Sequence, residues 1–409
     1  MGESAAPRSV DVLIAGAGPA GSRLAARLAG AGWDVLLVDR ARFPREKACS
    51  EYMSPATVEL LHRAGVLEAV DRAGANPLDG TTVVAPRGAR LTGIFARTGH
   101  PAFRGTGLAF PRRDLDHLLL DAARRAGARV VEGTAVEELV EKNGCIVGAI
   151  LRCPDGTRRE VRARLTAGTD GLRSLVARRM GRTVRFTPDR LAFVAHVNGV
   201  RDLRNTTEMH VGASGYAGLN PLGNDLANVA LVVPRRRAPD ASGRVRDFFI
   251  ETLATFPGVR GRVPAGGITR EVMVTGPFNS WSRRVTADGA LLAGDAADFF
   301  DPFTGEGIYA ALKGAELAAG VLEEALTRPG TITARALSEY PRLRRRAFSG
   351  KWAVERLIGY AMYLPALFNR AVDRMGRRGR MAHTLIGVTG DFVPAREVLN
   401  PVFLSRMIW

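Results

Sequence analysis

"VDVLIAGAGPAGSRLAARLAGAGWDVLLVDR", residues 10 to 40, decides the fold. "VDVLIA" is an apolar run of the buried-strand kind, "SRLAARLAGAG" carries apolar residues at helical spacing, and "DVLLVDR" returns to a strand. Between the first strand and the helix lie Gly16, Gly18 and Gly21, spaced G-x-G-x-x-G. Strand, glycine turn, helix and strand together make the context that a dinucleotide-binding turn requires. Gly16 allows the tight turn, Gly18 lets the backbone approach a pyrophosphate, and Gly21 lets helix and sheet pack closely. Pro19 and Ala20 open the helix whose N-terminus receives the phosphates. Asp39 ends the second strand, placed to accept hydrogen bonds from a ribose, with Arg40 beside it.

A chain of 409 residues suggests two or three structural units with ample length for a large core. Its 58 Lys and Arg against 41 Asp and Glu give a net charge of +17, which suits nucleic acid, an anionic membrane surface or an acidic ligand. No RRM, zinc-finger or helix-turn-helix signature accompanies that charge, so nucleic acid is not expected as a partner. Much of the excess is Arg spread through helical runs, which also reads as a solvated basic surface. Cys49, Cys145 and Cys153 are odd in number and lack metal or disulfide spacing, so no metal is expected and a reducing cytoplasm is. "MGESAAPRSVDVLIAGAG" enters a strand with no cleavable leader, and no apolar run is long enough to span a bilayer. The expectation is a cytoplasmic protein, with membrane association as a candidate property.

Four segments carry a resemblance: "GAGPAG" at 16 to 21, "FPREKACSEYMSP" at 43 to 55, "GTDGLRSLVARRMG" at 168 to 181 and "GDAADFFDPFTGEGI" at 294 to 308. In this order the chain resembles the FAD-dependent oxidoreductases of the aromatic hydroxylase (p-hydroxybenzoate hydroxylase-like) superfamily, and within it the geranylgeranyl-reductase-like branch. The resemblance implies an α/β fold: a Rossmann-like FAD-binding domain of the GR2 type, an inserted antiparallel β-sheet substrate domain and a helical C-terminal region. The FAD domain is expected in three parts, 1–79, 101–184 and 277–325. The substrate domain takes a hairpin at 80–100 and a sheet at 185–276, and the helical region covers 326–409.

The implied cofactor is FAD, with NAD(P)H as electron donor and a separate flavin reductase as a candidate partner. By the resemblance, Gly294 and Asp295 meet the ribityl chain, Asp170 lies near the pyrophosphate, and Lys47 and Cys49 sit on a loop near the flavin. Ala177 stands where an Arg is common. In "FPRRDLDHLLLDAARRAG" Arg112 resembles the Arg that reaches the FAD phosphates, with Arg113 as its alternative. Pro302, Gly305, Glu306, Gly307 and Ile308 are implied beside the isoalloxazine. A helix starting near Gly307 would aim free N–H groups and its positive dipole end at the flavin N1 and O2 edge, favouring the anionic reduced form.

"GTTVVAPRGARLTGIFAR", from residue 80, reads as a hairpin turning at Arg87-Gly88, and 189 to 235 and 267 to 276 as further strands. "GYAGLNPLG" resembles the segment that lies across the flavin face. Tyr216, Leu219, Asn220 and Pro221 stand there where prenyl reductases show a Tyr, a Trp and a Phe-Pro pair. Catalytic candidates are Cys49, His196, His210, Tyr216 and Asn220, each with an ordinary packing role as the other reading. After residue 325 apolar helical runs alternate with basic clusters at Arg342, Arg344, Arg345 and Arg346 and at Arg374, Arg377, Arg378 and Arg380. Residues 340–381 are therefore a candidate peripheral membrane surface, or a helical tail closing the pocket.

Three functions follow from the resemblance. The first is a monooxygenase that hydroxylates a large apolar aromatic, a phenolic lipid or polyketide, through a flavin C4a-hydroperoxide. The second is an ene-reductase of an isoprenoid, and the third a non-catalytic flavin-binding partner protein. Each enzyme reading takes a lipophilic small molecule as substrate. A halogenase would show a Trp-x-Trp-x-Ile-Pro segment, and none is present.

Overall fold

The apolar runs at 10 to 15 and 35 to 38 lie side by side in the middle of a parallel sheet, where both faces are covered and neither side of a strand can be polar. The computed structural model describes residues 8–181, 183–185 and 189–408. Residues 1–7, the start of the segment read as leading directly into a strand, lie outside the described residues. Ser9–Ala15 pairs in parallel with Val35–Asp39 and Arg158–Gly168. Arg129–Glu132 and Ala290–Leu292 extend the sheet on either side, and the hairpin of Ala135–Lys142 and Cys145–Arg152 adds antiparallel strands. Helices Pro19–Gly30 and Gly307–Ala325 pack on one face, with Leu24, Leu28, Ala315, Ala319 and Leu322 closing over Val12 and Ile14.

A second sheet has seven strands, in the order Ile268–Thr275, Arg190–Asn198, Leu226–Pro234, Gly215–Gly223, Thr206–Gly212, Gly80–Val84 and Arg90–Ile94. All neighbours are antiparallel except Gly80–Val84 and Thr206–Gly212, which run parallel. The exception has a topological cause: these two strands come from distant parts of the chain, so no tight hairpin joins them. Helix Val245–Leu253, absent from the sequence reading, buries Phe248, Phe249 and Leu253 against Ala217, Leu219, Val229 and Leu231 on the outer face of this sheet. Its inner face looks toward the first sheet.

Helices Glu339–Ala361, Pro365–Arg377, Gly379–Thr389 and Pro401–Ile408 form the C-terminal region. They lie close on the 80–94 hairpin: a Cβ added at Gly93 would come within 2.3 Å of Ile386, and one at Gly376 within 2.1 Å of the Arg90 carbonyl. Arg344 departs from the surface reading of its basic run. It is buried, bonded to Asp298, and its guanidinium lies over the Tyr340 and Phe348 rings. Among the described residues no helix is long and apolar enough to cross a membrane.

Candidate active site

Between the two sheets lies a cavity of about 860 Å³. One end is the glycine turn. A Cβ at Gly16, whose φ is 101°, would press on the Thr169 carbonyl at 2.6 Å, and one at Gly21 on the Gly16 carbonyl at 1.8 Å. At Gly18 the same Cβ meets only Arg45, at 3.8 Å, because this glycine faces the cavity. The three glycines thus divide their tasks as the spacing requires: two are compelled by backbone packing, and one leaves room for a ligand. Gly18 is also the N-cap of Pro19–Gly30 and gives no side-chain cap, so the helix presents free N–H groups to the cavity.

Basic side chains gather beside that turn. Arg112 is buried and held by Asp116 through two hydrogen bonds of 2.7 Å, and Arg45 pairs with the same carboxylate at 2.9 Å. Arg113 is exposed, so Arg112 is the arginine that lines the cavity. Lys47 lies close by, its pKa lowered by burial and by Arg112. Asp295 faces this group from the start of the "GDAADFF" loop. Burial raises its pKa, and Lys47 and Arg112 oppose the rise. Asp170 accepts the Leu175 N–H at 2.6 Å through one oxygen, while its other oxygen is buried without a hydrogen bond and burial pushes its pKa up.

The other end of the cavity is the start of Gly307–Ala325, again with no side-chain cap. Asp301 fixes the loop leading into it. Its Oδ1 accepts the Tyr216 hydroxyl at 2.7 Å and the Phe303 N–H at 3.0 Å, and its Oδ2 accepts from Arg190 at 2.6 Å. One buried carboxylate therefore ties the glycine loop of the first sheet to two strands of the second. The roof is the inner face of the second sheet, where Val194, Met209, Gly218, Ala230 and Val232 present apolar surface and Phe278 closes one side.

Of the residues singled out in the sequence for the cofactor, Gly16, Gly18, Pro19, Ala20, Asp39, Arg40, Lys47, Cys49, Arg112, Asp170, Gly294, Asp295, Pro302, Gly305, Glu306, Gly307 and Ile308 all line this cavity, and Gly21 lies behind it. The catalytic candidates separate. Cys49 and Tyr216 line the cavity; His196, His210 and Asn220 do not. His210 points to the outer face of the sheet, bonded to Glu208 at 2.7 Å, and Arg262 holds the same carboxylate. Leu219 also lies on the outer face, because strand alternation sets it opposite to Tyr216.

His196 and Asn220 instead hold the Cys49 loop. His196 bonds Glu51 at 2.6 Å, Asn220 donates to the Ser50 carbonyl at 2.9 Å, and Asn228 donates to the Cys49 carbonyl at 2.8 Å and to Glu51 at 2.9 Å. Burial works to raise the Glu51 pKa, but His196, the Arg112 N–H and the charge of Arg270 hold it below the ordinary value. Glu51 and Asp116 were missed in the sequence. For Asp116 a signal existed in its position one helical turn after Arg112.

A family model described as an FAD binding domain matches residues 9–352. The chain is 30% identical over 373 residues to digeranylgeranylglycerophospholipid reductase 1 of Methanothermobacter thermautotrophicus, covering 89% of each protein. It is 29% identical over 399 residues to a menaquinone reductase of Mycolicibacterium smegmatis, covering 94% of this chain and 92% of that one. Among solved structures, the myxobacterial chondrochloren halogenase superposes with a TM-score of 0.79 at 25% identity, over 87% of this chain and 83% of that one.

Proposed function

The chain belongs to the FAD-binding-domain family and is an FAD-dependent oxidoreductase; from that premise we propose that it saturates carbon–carbon double bonds of an isoprenoid chain. The observation that carries this reading is the roof of the cavity. It is apolar where it faces the uncapped start of Gly307–Ala325, and the Tyr216 and Thr207 hydroxyls on it are committed, Tyr216 to Asp301 and Thr207 to Asn220. Hydroxylation of a phenol gains from a base that takes the phenol proton, and neither histidine reaches the cavity to serve. To be bound, a hydrocarbon chain needs only shape and dryness. The names of the two relatives agree with this choice.

The residues present fit FAD. Gly18 leaves space at an uncapped helix start, Arg45, Lys47 and Arg112 bring positive charge for a pyrophosphate, and Asp170 has a buried oxygen still unbonded. Asp39 would take a ribose hydroxyl and Asp295 the ribityl chain, with the flavin ring toward Gly307. When bound, FAD supplies a two-electron carrier that accepts hydride from a reduced nicotinamide, the proposed donor, and passes it to an alkene carbon. The protein's part is to hold the chain against the roof, exclude water, and favour negative charge at the helix start.

The expected result is a product heavier by two hydrogens, with one alkene fewer, when the FAD-loaded protein, a chemical or nicotinamide reductant and a polyprenyl lipid without a quinone ring are incubated without oxygen. A product heavier by one oxygen, formed only in air, would overturn the reductase reading and restore the monooxygenase.

The same reading includes a lipid surface as the source of substrate. Leu357, Tyr360, Tyr363 and Leu364 are 37 to 57% exposed at the turn between helices Glu339–Ala361 and Pro365–Arg377, beside exposed Arg356. Tyr363 stands next to the cavity wall, since Arg190 lies over both its ring and that of Tyr216. An aromatic, apolar turn flanked by Arg suits the interface of an anionic membrane. The expected outcome is co-sedimentation with phosphatidylglycerol vesicles that weakens with salt, and about tenfold weaker binding when Tyr360 and Leu364 are both changed to Ser. Equal sedimentation with neutral vesicles, or none at all, would sink this docking surface.

A further inference from the structure

Saturating a double bond takes a hydride and a proton, and the proton has to reach an alkene held against the apolar roof of the cavity. Three carboxylates and one ammonium cluster beside the cavity, and of these only Glu306 belongs to the set read as lying beside the cofactor. Glu306 stands just before Gly307–Ala325 and its side chain does not cap that helix; Lys351 and Glu355 lie one turn apart on Glu339–Ala361; Asp391 follows the end of Gly379–Thr389. Lys351 Nζ is 2.8 Å from Asp391 Oδ2 and 3.3 Å from Glu355 Oε1, and Thr304 donates to Glu355 at 3.2 Å. Ser54 donates to Glu306 Oε2 at 3.1 Å, while Glu306 Oε1 is buried with no hydrogen bond.

Members of the cluster line two cavities. Glu306, Lys351 and Glu355 line the large one, and Asp391 lines a surface cleft of about 190 Å³ together with Glu59, Lys313 and Tyr309. We propose that this chain of groups is a proton path from the cleft to the cavity, and that Glu306 gives the proton that accompanies hydride transfer to the alkene. The proposal rests on the reductase reading. In the step, the alkene π bond breaks, one carbon takes the hydride and the other takes the Glu306 proton, so two C–H bonds form. The reduced nicotinamide is oxidised, and Glu306, left as a carboxylate, regains a proton that enters from water at Asp391.

The electrostatics agree with that arrangement. Burial raises the Glu306 pKa well above the ordinary value, against the pull of Lys351, and Asp391 and Glu355 add to the rise. Burial likewise raises Glu355 and Asp391, each opposed by Lys351. For Lys351 burial works downward, yet Asp391, Glu355 and Glu306 hold its pKa above normal. Tyr52 and Tyr309, which pack on the cluster, are raised by burial and by Glu306 or Asp391, so neither adds negative charge. One cation stands among these three carboxyls, which favours the protonated form of one of them, and Glu306 lines the cavity and has an oxygen with no hydrogen bond.

Glu306→Gln preserves shape and removes the proton. In the FAD-loaded protein the hydride step to the alkene is expected to slow by about a hundredfold, in the range of general-acid catalysis. The wild-type rate should fall as pH rises through the elevated Glu306 pKa, because the acid form is the donor, and the variant should lose that dependence. A readout independent of turnover is the infrared band of a protonated carboxyl, expected in the wild type at neutral pH and missing in Glu306→Gln. Asp391→Asn should slow steady turnover more than the first turnover, since it hinders resupply. An unchanged infrared band together with an unchanged pH profile in Glu306→Gln would overturn the path. Failure of the wild type to reduce any isoprenoid would instead remove the reductase reading, with the infrared band still reporting on Glu306.

Discussion

Asp295→Ala is expected to bind FAD about a hundredfold more weakly than the wild type, the scale of one or two charge-assisted hydrogen bonds lost from a buried site. The side chain stands at the cavity with Lys47 and Arg112 acting on it, and burial raises its pKa. A buried carboxyl in that state costs the fold free energy. Its raised native pKa means that stability falls as pH rises from its ordinary value of 3.8 through the native one. The alanine variant without cofactor should therefore be as stable as the wild type or more so, while its flavin content collapses. Fluorescence titration of the apoprotein with FAD and a denaturant curve measure the two quantities separately, and Cys49→Ala serves as the control that keeps its flavin. Normal flavin content in the Asp295 variant would remove Asp295 from the site.

Much of this was open to sequence reasoning because the information is local. The glycine turn is one strand, one helix start and one strand, and the roles of Gly16, Gly18 and Gly21 follow from contacts within that unit and with Thr169. Strand parity was also available. Met209 and Val211 alternate with Glu208 and His210, and the apolar pair belongs to the inner face, so His210 had to point outward. The same count separates Tyr216 from Leu219. His196 is different: it shares the inner face with Ala192 and Val194, and only the loop folded over it, through Glu51, keeps it from the cavity.

What the sequence hid is long-range pairing of charge. Arg344 reads as one of a basic run, and its partner Asp298 lies 46 residues away. Lys351, on a helix, and Asp391, in the turn after another, are 40 residues apart. Periodicity reports which face of an element is apolar and is silent on which ion answers which. The C-terminal helices read as a tail closing the pocket or a membrane surface, without the residues that do the closing: Arg344, Phe348, Lys351, Trp352 and Glu355 line the wall of the cavity.

Asp301→Ala is expected to destabilise the protein by about 3 to 5 kcal/mol, the usual consequence of removing one partner of a buried ion pair. Arg190 is 4% exposed and would keep its charge with no carboxylate to answer it, and the Tyr216 hydroxyl and Phe303 N–H would lose their acceptor. Asp301→Asn keeps an acceptor and loses the charge, so it should fall between. If the cost comes from the stranded cation, Arg190→Met combined with Asp301→Ala should recover part of the stability, measured as a coupling free energy in a double-mutant cycle. The function should respond differently. Asp301 sets the loop that delivers Gly305, Glu306 and Gly307 to the cavity, and Arg190→Met does not restore that anchor. The double variant is therefore expected to regain stability while its flavin affinity and turnover stay low. Recovery of both together would mean that the carboxylate serves the fold alone, and that the glycine loop keeps its place without the second sheet.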